Sequence, residues 1–409
     1  MRILVVTTHY SPDLGPSAPI FTMLCEDLVK LDHQVSLIAA VPHYPTGRVP
    51  PEFRGRLFQR EIANGVDVTR VYVPSVDRSK LWQRALVFAT FQLLATLAGL
   101  RRRYDVAIIS NPALEVGLPF LVLGPLRGKP AVFSVYDLYP DVGVRLGIFR
   151  NQTVTSLVAA LEKCCLRSAA RVSVLSAGFR ESLRKQGIPD SRIQLIGLST
   201  DTDFIRPLPQ DNAFSRERGL NGRFVVLYAG NIGLSQGLDN VLRAAELVAG
   251  AADIQFVFVG DGAGYEPLQQ MARASGLRNL HFFPLQPRER LPEVLATAAI
   301  SLVSLRSGVG FDSVPSKFYS ILSSGRPLVA CVDAGSEIWQ LTQIADCGIC
   351  VEPENPTALA GAILSLYRDS HRRDEQAGNG RAYVLKEHSR AAAARAYHEA
   401  VCLAAGGYA

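Results

Sequence analysis

A chain of 409 residues is more than twice the size of a common domain, and 48% hydrophobic with 20% charged residues excludes disorder. Two cores of about 200 residues each are the first expectation. The balance of 43 Lys and Arg against 37 Asp and Glu gives +6 and a pI near 9.0, which favours an anionic surface or ligand as partner. Seven scattered cysteines, paired only at Cys164-Cys165 and Cys347-Gly-Ile-Cys350, do not make a four-ligand zinc set, so reduced thiols and no metal are expected.

In chain order, MRILVVTTHY predicts a first strand, Ile3 to Thr7, then a polar turn. Its apolar run is too short for a secretory signal. An amphipathic helix over Phe21 to Leu31 precedes a second strand, Gln34 to Ala39. Ala85 to Leu100, ALVFATFQLLATLAGL, lies between Arg84 and Arg101-Arg102-Arg103. As a helix it would be about 24 Å long, short of the roughly 30 Å hydrocarbon core. It is either a core helix or a helix in one leaflet with its arginines at the headgroups. Leu114 to Leu126 carries two prolines and an acid and does not form a straight span.

Further strands follow at Asp105 to Ile109, Ala131 to Val135, Arg171 to Leu175 and Gln194 to Ile196, with a helix over Thr153 to Ser168. Strands alternating with helices predict an α/β, doubly wound parallel sheet. Leu198 to Gly222, rich in acids and with Pro207 and Pro209, reads as a linker. The pattern then restarts with strands at Phe224 to Tyr228, Gln255 to Val259, Leu280 to Phe283, Ile300 to Val303 and Leu328 to Cys331. Helices at Leu238 to Val248, Glu266 to Ala274, Leu291 to Thr297 and Lys317 to Ser323 alternate with them. The tail from Ala358 to Ala405 reads as helical with a polar break near Gly378 to Gly380.

Open α/β sheets bind ligands beyond the carboxyl ends of their strands, so function is expected in the loops there. The first such loop holds His9 and Gly15, and the second is a long basic loop with His43, Tyr44, Arg48 and Arg54, whose arginine forks suit phosphate. SVYDLYPD places two acids and two tyrosines at a strand end, where they fit a polyol or a plain turn. YAGNIGLSQG joins strand, glycine turn (Gly230, Gly233, Gly237) and helix, the placement of a phosphate loop, and Gly260-Asp261-Gly262 repeats it.

Together DLYPD, DTDFIRP, YAGNIGLSQGL, FVGDG and VPSKFYSILSSGRPLVA resemble retaining glycosyltransferases of sequence family 4 over essentially the whole length. The resemblance is greatest to the surface-polysaccharide branch that includes fucosamine-type transferases. It implies the GT-B fold, two Rossmann-like domains facing across a cleft, with residues 1–205 binding acceptor, 206–380 binding nucleotide-sugar, and 381–409 a helix crossing back to the first domain. The implied reaction moves a sugar from a nucleotide-diphosphate sugar, most simply a UDP-sugar, to a glycan or polyprenyl-diphosphate-linked acceptor. No cofactor, metal or nucleic acid is implied. The implied location is the cytoplasmic face of the inner membrane, held peripherally.

By the same resemblance, Asp137, Asp312 and Lys317 serve catalysis. Gly15, Gly230, Asn231, Gly233, Gln236, Gly260, Asp261, Leu285, Val314, Pro315, Ser316 and Ser320 bind donor, and His9, His43, Tyr44, Arg48 and Arg54 the acceptor. The chain departs from the family pattern in five places. Asn231 and Gln236 stand where an Arg and a Lys usually meet the diphosphate, Asp312 and Ser320 stand for two glutamates, and Lys317 is the available cation. Tyr136 stands where a histidine usually precedes Asp137. A UDP-sugar 2-epimerase on the same fold, or a partner subunit without catalysis, are the alternatives.

Overall fold

A computed structural model describes residues 1–78, 80–140, 144, 151–310 and 315–406. Asp312 and Val314 lie outside the described residues, as does Asp141 of the DLYPD motif. Two compact units divide the chain, Met1–Gly197 with Ala393–Ala409, and Leu198–Ala392. The sequence places the divisions at 205/206 and 380/381.

The first unit is built on strands β1 (Arg2–Val6), β2 (Gln34–Ala40), β3 (Phe58–Ala63), β4 (Val66–Val71), β5 (Val106–Ser110), β6 (Ala131–Val135), β7 (Arg171–Val174) and β8 (Ile193–Leu195). Their order is β3-β4-β2-β1-β5-β6-β7-β8, and every described pairing is parallel except the β3–β4 hairpin. Strand order reverses beside β1, so the loops after β1 and β5 flank the switch point where such sheets take ligands. The hairpin turns on Asn64-Gly65, both at positive φ, as a two-residue turn requires. Sequence reading missed it because β3 is an edge strand whose Gln59, Arg60 and Glu61 break the apolar pattern.

Helices α1 (Ala18–Lys30), α2 (Leu81–Leu100), α3 (Ala113–Leu123), α4 (Gln152–Ser168) and α5 (Ala177–Lys185) cover this sheet. Helix α2 begins at Leu81, so at about 1.5 Å per residue it is roughly 30 Å long. By length and composition it is long enough to cross a membrane. One face buries Val87, Phe91, Ala95 and Ala98 in the core, while Leu81, Trp82, Leu86, Leu93, Leu97 and Leu100 are exposed. The C-terminal helix, Arg390–Ala404, sends Tyr397, Ala400 and Val401 into the core that holds Ile3, Val5 and Leu37.

The second unit carries β9 (Phe224–Ala229), β10 (Ile254–Val259), β11 (Leu280–Phe283), β12 (Ile300–Ser304), β13 (Leu328–Cys331) and β14 (Gly348–Val351) in the order β11-β10-β9-β12-β13-β14, all parallel. Its switch point lies between β9 and β12. Helices α6 (Ala213–Glu217), α7 (Leu238–Leu247), α8 (Tyr265–Ser275), α9 (Leu291–Ala296), α10 (Lys317–Ser323), α11 (Glu337–Ala345), α12 (Pro356–Arg368) and α13 (Ser370–Glu387) complete it.

The polar break expected at Gly378 to Gly380 is absent, because α13 runs through it. Gly380 is there for packing, since a Cβ would stand 2.8 Å from Leu322 and 2.9 Å from Cys347. The helical tail breaks instead at Asp369, whose side chain caps α13 through Arg372 N, and again at His388.

Candidate functional sites

In the second unit a cavity of about 400 Å³ opens at the ends of β9 and β10, lined among others by Gly230, Asn231, Gln236, Leu285, Ser316 and Lys317. Pro315 and Ser320 also line it, so the structure gathers seven donor-site candidates from three separate segments, whereas Gly15, expected among them, lies in the first unit against His9. Gly260 and Asp261 act beneath that lining. The backbone of Gly260 crosses Gly230 so closely, at φ +155°, that a Cβ would lie 1.9 Å from the Gly230 carbonyl oxygen. The Asp261 carbonyl accepts from Ile232 N at 2.8 Å. Gly233 packs against Asn231, where a Cβ would meet Nδ2 at 2.9 Å.

Lys317 is the cation of this cavity. Its ammonium donates to Tyr228 Oη at 2.5 Å, reaches Gln236 Oε1 at 3.4 Å, and lies 3.8 Å from the centre of the Tyr228 ring. Tyr228 Oη in turn donates to the Asn231 carbonyl at 2.6 Å. All these partners are neutral, and no carboxylate pairs with Lys317 among the described residues. The residue keeps some contact with solvent, but its charged end is folded inward, and desolvation lowers its pKa to about 7. Tyr228 was invisible as a site residue in the sequence, being one more apolar position of a buried strand.

In the first unit, His9, His43 and Tyr44 gather after β1 and β2. The two imidazoles stack with centroids 5.1 Å apart, and Tyr44 meets His9 edge-on at 5.7 Å. Burial lowers the His43 pKa. Arg48 and Arg54 are exposed, and among the described residues no hydrogen bond, ion pair or ring contact joins them to this group; Arg54 Nε instead donates to the Val49 carbonyl at 2.8 Å. The cation that meets the cluster is Arg78, stacked over Tyr44 at 4.4 Å. Gly15 touches His9, and Asp13, absent from the sequence-based site, binds it.

Asp137 stands at the end of β6 and is exposed, yet the surrounding protein desolvates its carboxyl enough to raise its pKa. Its backbone carbonyl accepts from Asn111 Nδ2 at 2.5 Å, and Asn111 also reaches Glu162 Oε1 at 3.3 Å. Glu162, on α4, accepts from Ala113 N at 2.8 Å, and burial pushes its pKa up to about 7. Sequence reading missed Glu162 because one acid on an amphipathic helix looks like its solvated face. Tyr136, where the family pattern has histidine, points into the core and meets Tyr397 Oη at 3.0 Å.

A doubly wound unit whose glycine loop and Lys317 line a cavity at the switch point has the arrangement of nucleotide- and phosphate-binding α/β proteins. Residues 17–198 match the glycosyl transferase 4-like domain, and residues 210–383 match glycosyl transferases group 1. The chain is 29% identical over 373 residues to the putative colanic acid biosynthesis glycosyl transferase WcaI of Escherichia coli K12, covering 89% of this chain and 91% of that one. It is 28% identical to the probable glycosyltransferase WbjE of Pseudomonas aeruginosa, over 74% and 76% of the two chains. Anabaena HepE, solved in complex with UDP, superposes with a TM-score of 0.67 at 14% identity, over 98% of this chain and 99% of that one. The chain belongs to the family 4 glycosyltransferases and has their GT-B fold.

Proposed function

We propose that this enzyme moves a sugar from a nucleotide-diphosphate sugar, with UDP as the first nucleotide to test, to a lipid-linked glycan in bacterial surface-polysaccharide synthesis. The observation that carries the donor half is Lys317 at the wall of the second unit's cavity, beside Gly230, Asn231 and Gln236. With Asn231 and Gln236 uncharged, Lys317 supplies the cation that stabilises the diphosphate as it leaves. Ser316 and Ser320 offer hydroxyls to the donor, and Leu285 an apolar edge to its base. HepE's complex with UDP supports the nucleotide, and the names of WcaI and WbjE support transfer over epimerisation.

In this reading His9, His43 and Tyr44 bind the acceptor in the first unit and Asp137 faces the sugar. The reaction retains the anomeric configuration and needs no metal. The enzyme sits at the inner membrane through the exposed leucines of α2, with Arg101 and Arg103 at the headgroups. The test is a screen of nucleotide sugars against bacterial membrane extract, with and without EDTA, read by mass spectrometry and by proton NMR of the anomeric product. Sugar transferred to lipid with the donor's configuration and undiminished by EDTA is expected. Interconversion of the nucleotide sugar without acceptor would instead indicate the epimerase, and failure to bind UDP or GDP a subunit without catalysis.

A further inference from the structure

The loop between β1 and α1 contains a buried carboxylate to which the reaction above gives no task. Asp13 has no exposed side-chain surface. Its Oδ1 accepts from Leu14 N at 2.8 Å and Tyr44 N at 3.0 Å, and its Oδ2 lies 2.7 Å from His9 Nδ1. Desolvation pushes its pKa up, but the hydrogen bond and charge of His9, with the Tyr44 amide, outweigh this and leave it lowered. An ionised carboxylate only accepts hydrogen bonds, so His9 Nδ1 carries hydrogen, and Nε2 has a free lone pair when the ring is neutral.

The ring is also held from two sides. It stacks on His43, and Gly15 closes against its other parts, where a Cβ would stand 2.2 Å from Cγ. Gly15 is therefore required by the imidazole itself. One atom from each of His9, Asp13 and His43 lies within 4.8 Å of the others, the spacing of a cation site. His43 Nδ1, however, is 2.9 Å from the Val41 carbonyl and 3.7 Å from Asp13 Oδ2, both acceptors, so that nitrogen bears hydrogen and leaves only Nε2 to ligate. The closest contact in the cluster is the carboxylate–imidazole pair of Asp13 and His9.

We propose that His9 Nε2 accepts a hydrogen bond from a hydroxyl of the carbohydrate acceptor, and that Asp13 and Gly15 are positioning residues that fix its tautomer and ring plane. This rests on the transferase reading and assigns the first unit's loop to hydroxyl recognition. A hydroxyl can donate to the neutral ring, whereas an ionised phosphate only accepts and would call for a charged imidazole or an arginine.

The test has two arms. In whole protein labelled with ¹⁵N-histidine, NMR should show His9 with hydrogen on Nδ1, and Asp13→Asn should abolish that preference. Hydrogen on Nε2 in the wild type overturns the proposal whatever the activity. With the nucleotide sugar that the screen turns over and membrane extract as acceptor, His9→Ala should lower acceptor-dependent kcat/KM about 5- to 150-fold, the cost of leaving one hydrogen bond unmade. UDP affinity should not change. His9→Gln, whose amide oxygen reaches the position of Nε2, should restore part of the loss, as should added imidazole. Gly15→Ala should behave like His9→Ala.

Intact UDP binding with unchanged acceptor kinetics in His9→Ala overturns the hydroxyl contact alone. Loss of UDP binding in the wild type counts against the transferase reading instead. One equivalent of Co²⁺ bound with a visible spectrum that His43→Ala removes would make the cluster a cation site and overturn the pair.

Discussion

Lys317 links nucleotide binding to protons, and the linkage can be measured with UDP alone. The free protein holds its ammonium against Tyr228 and Gln236 with a pKa near 7, against an ordinary 10.5. A diphosphate brought beside it stabilises the charged form and raises that pKa again. At pH 8.5 the free lysine is mostly neutral, so UDP binding should take up close to one proton. Affinity should fall about tenfold per pH unit from pH 7 up to the pKa of the complex. Above about pH 7.5 the phosphates themselves are ionised and add little to the slope.

Calorimetry in two buffers of different ionisation heat reads the uptake directly. Lys317→Met should remove it, flatten the slope and weaken UDP about 10- to 150-fold at pH 7, the value of a charge-assisted hydrogen bond. Lys317→Arg, charged at every pH, should bind without uptake. The free state offers a second check. Between about pH 7 and 10.5 the unfolded chain binds this proton and the folded one does not, so stability rises with pH across that window. Below pH 7 the buried charge costs up to about 5 kcal/mol, and Lys317→Met should be the more stable protein there. A wild type that binds UDP without proton uptake, or a methionine variant with the same pH slope, refutes the reasoning.

Gly260→Ala should destabilise the second unit by at least about 2 kcal/mol in urea unfolding, because the new Cβ meets the Gly230 carbonyl and φ is one that side chains disfavour. Glu162 titrates the opposite way from Lys317. With its folded pKa raised to about 7 from 4.5, its contribution is fully present below about pH 4.5 and lost as pH rises through 7, so the first unit should lose about 3 kcal/mol over that span. Glu162→Gln should flatten that fall in thermal melts. On α2, Leu93→Glu with Leu97→Glu should move the enzyme from the membrane pellet to the supernatant without unfolding it, since both side chains are exposed; a wild type already in the supernatant removes the membrane proposal. Leu94 is a poor choice for that test because it packs against the core.

What the sequence made legible follows from what leaves a local trace. Buried parallel strands are continuous apolar runs, and Ile3 to Thr7, Ala131 to Val135 and Phe224 to Tyr228 coincide with β1, β6 and β9 to within a residue. The edge hairpin β3–β4 escaped because its outer strand is charged. Glycine loops and Lys317 could be placed because each follows a strand. What no local pattern carries is a pair of groups made by folding. Tyr228 becomes Lys317's partner only when β9 and α10 meet, across 89 residues of sequence. Glu162 reaches the end of β5 through Asn111 across 51. Asp13, four residues from His9, is the instructive miss, since both stand in the loop after β1. The cis-acting pair was hidden because nothing in HYSPD says that the carboxylate is buried, and burial is what turns a loop acid into the anchor of an imidazole.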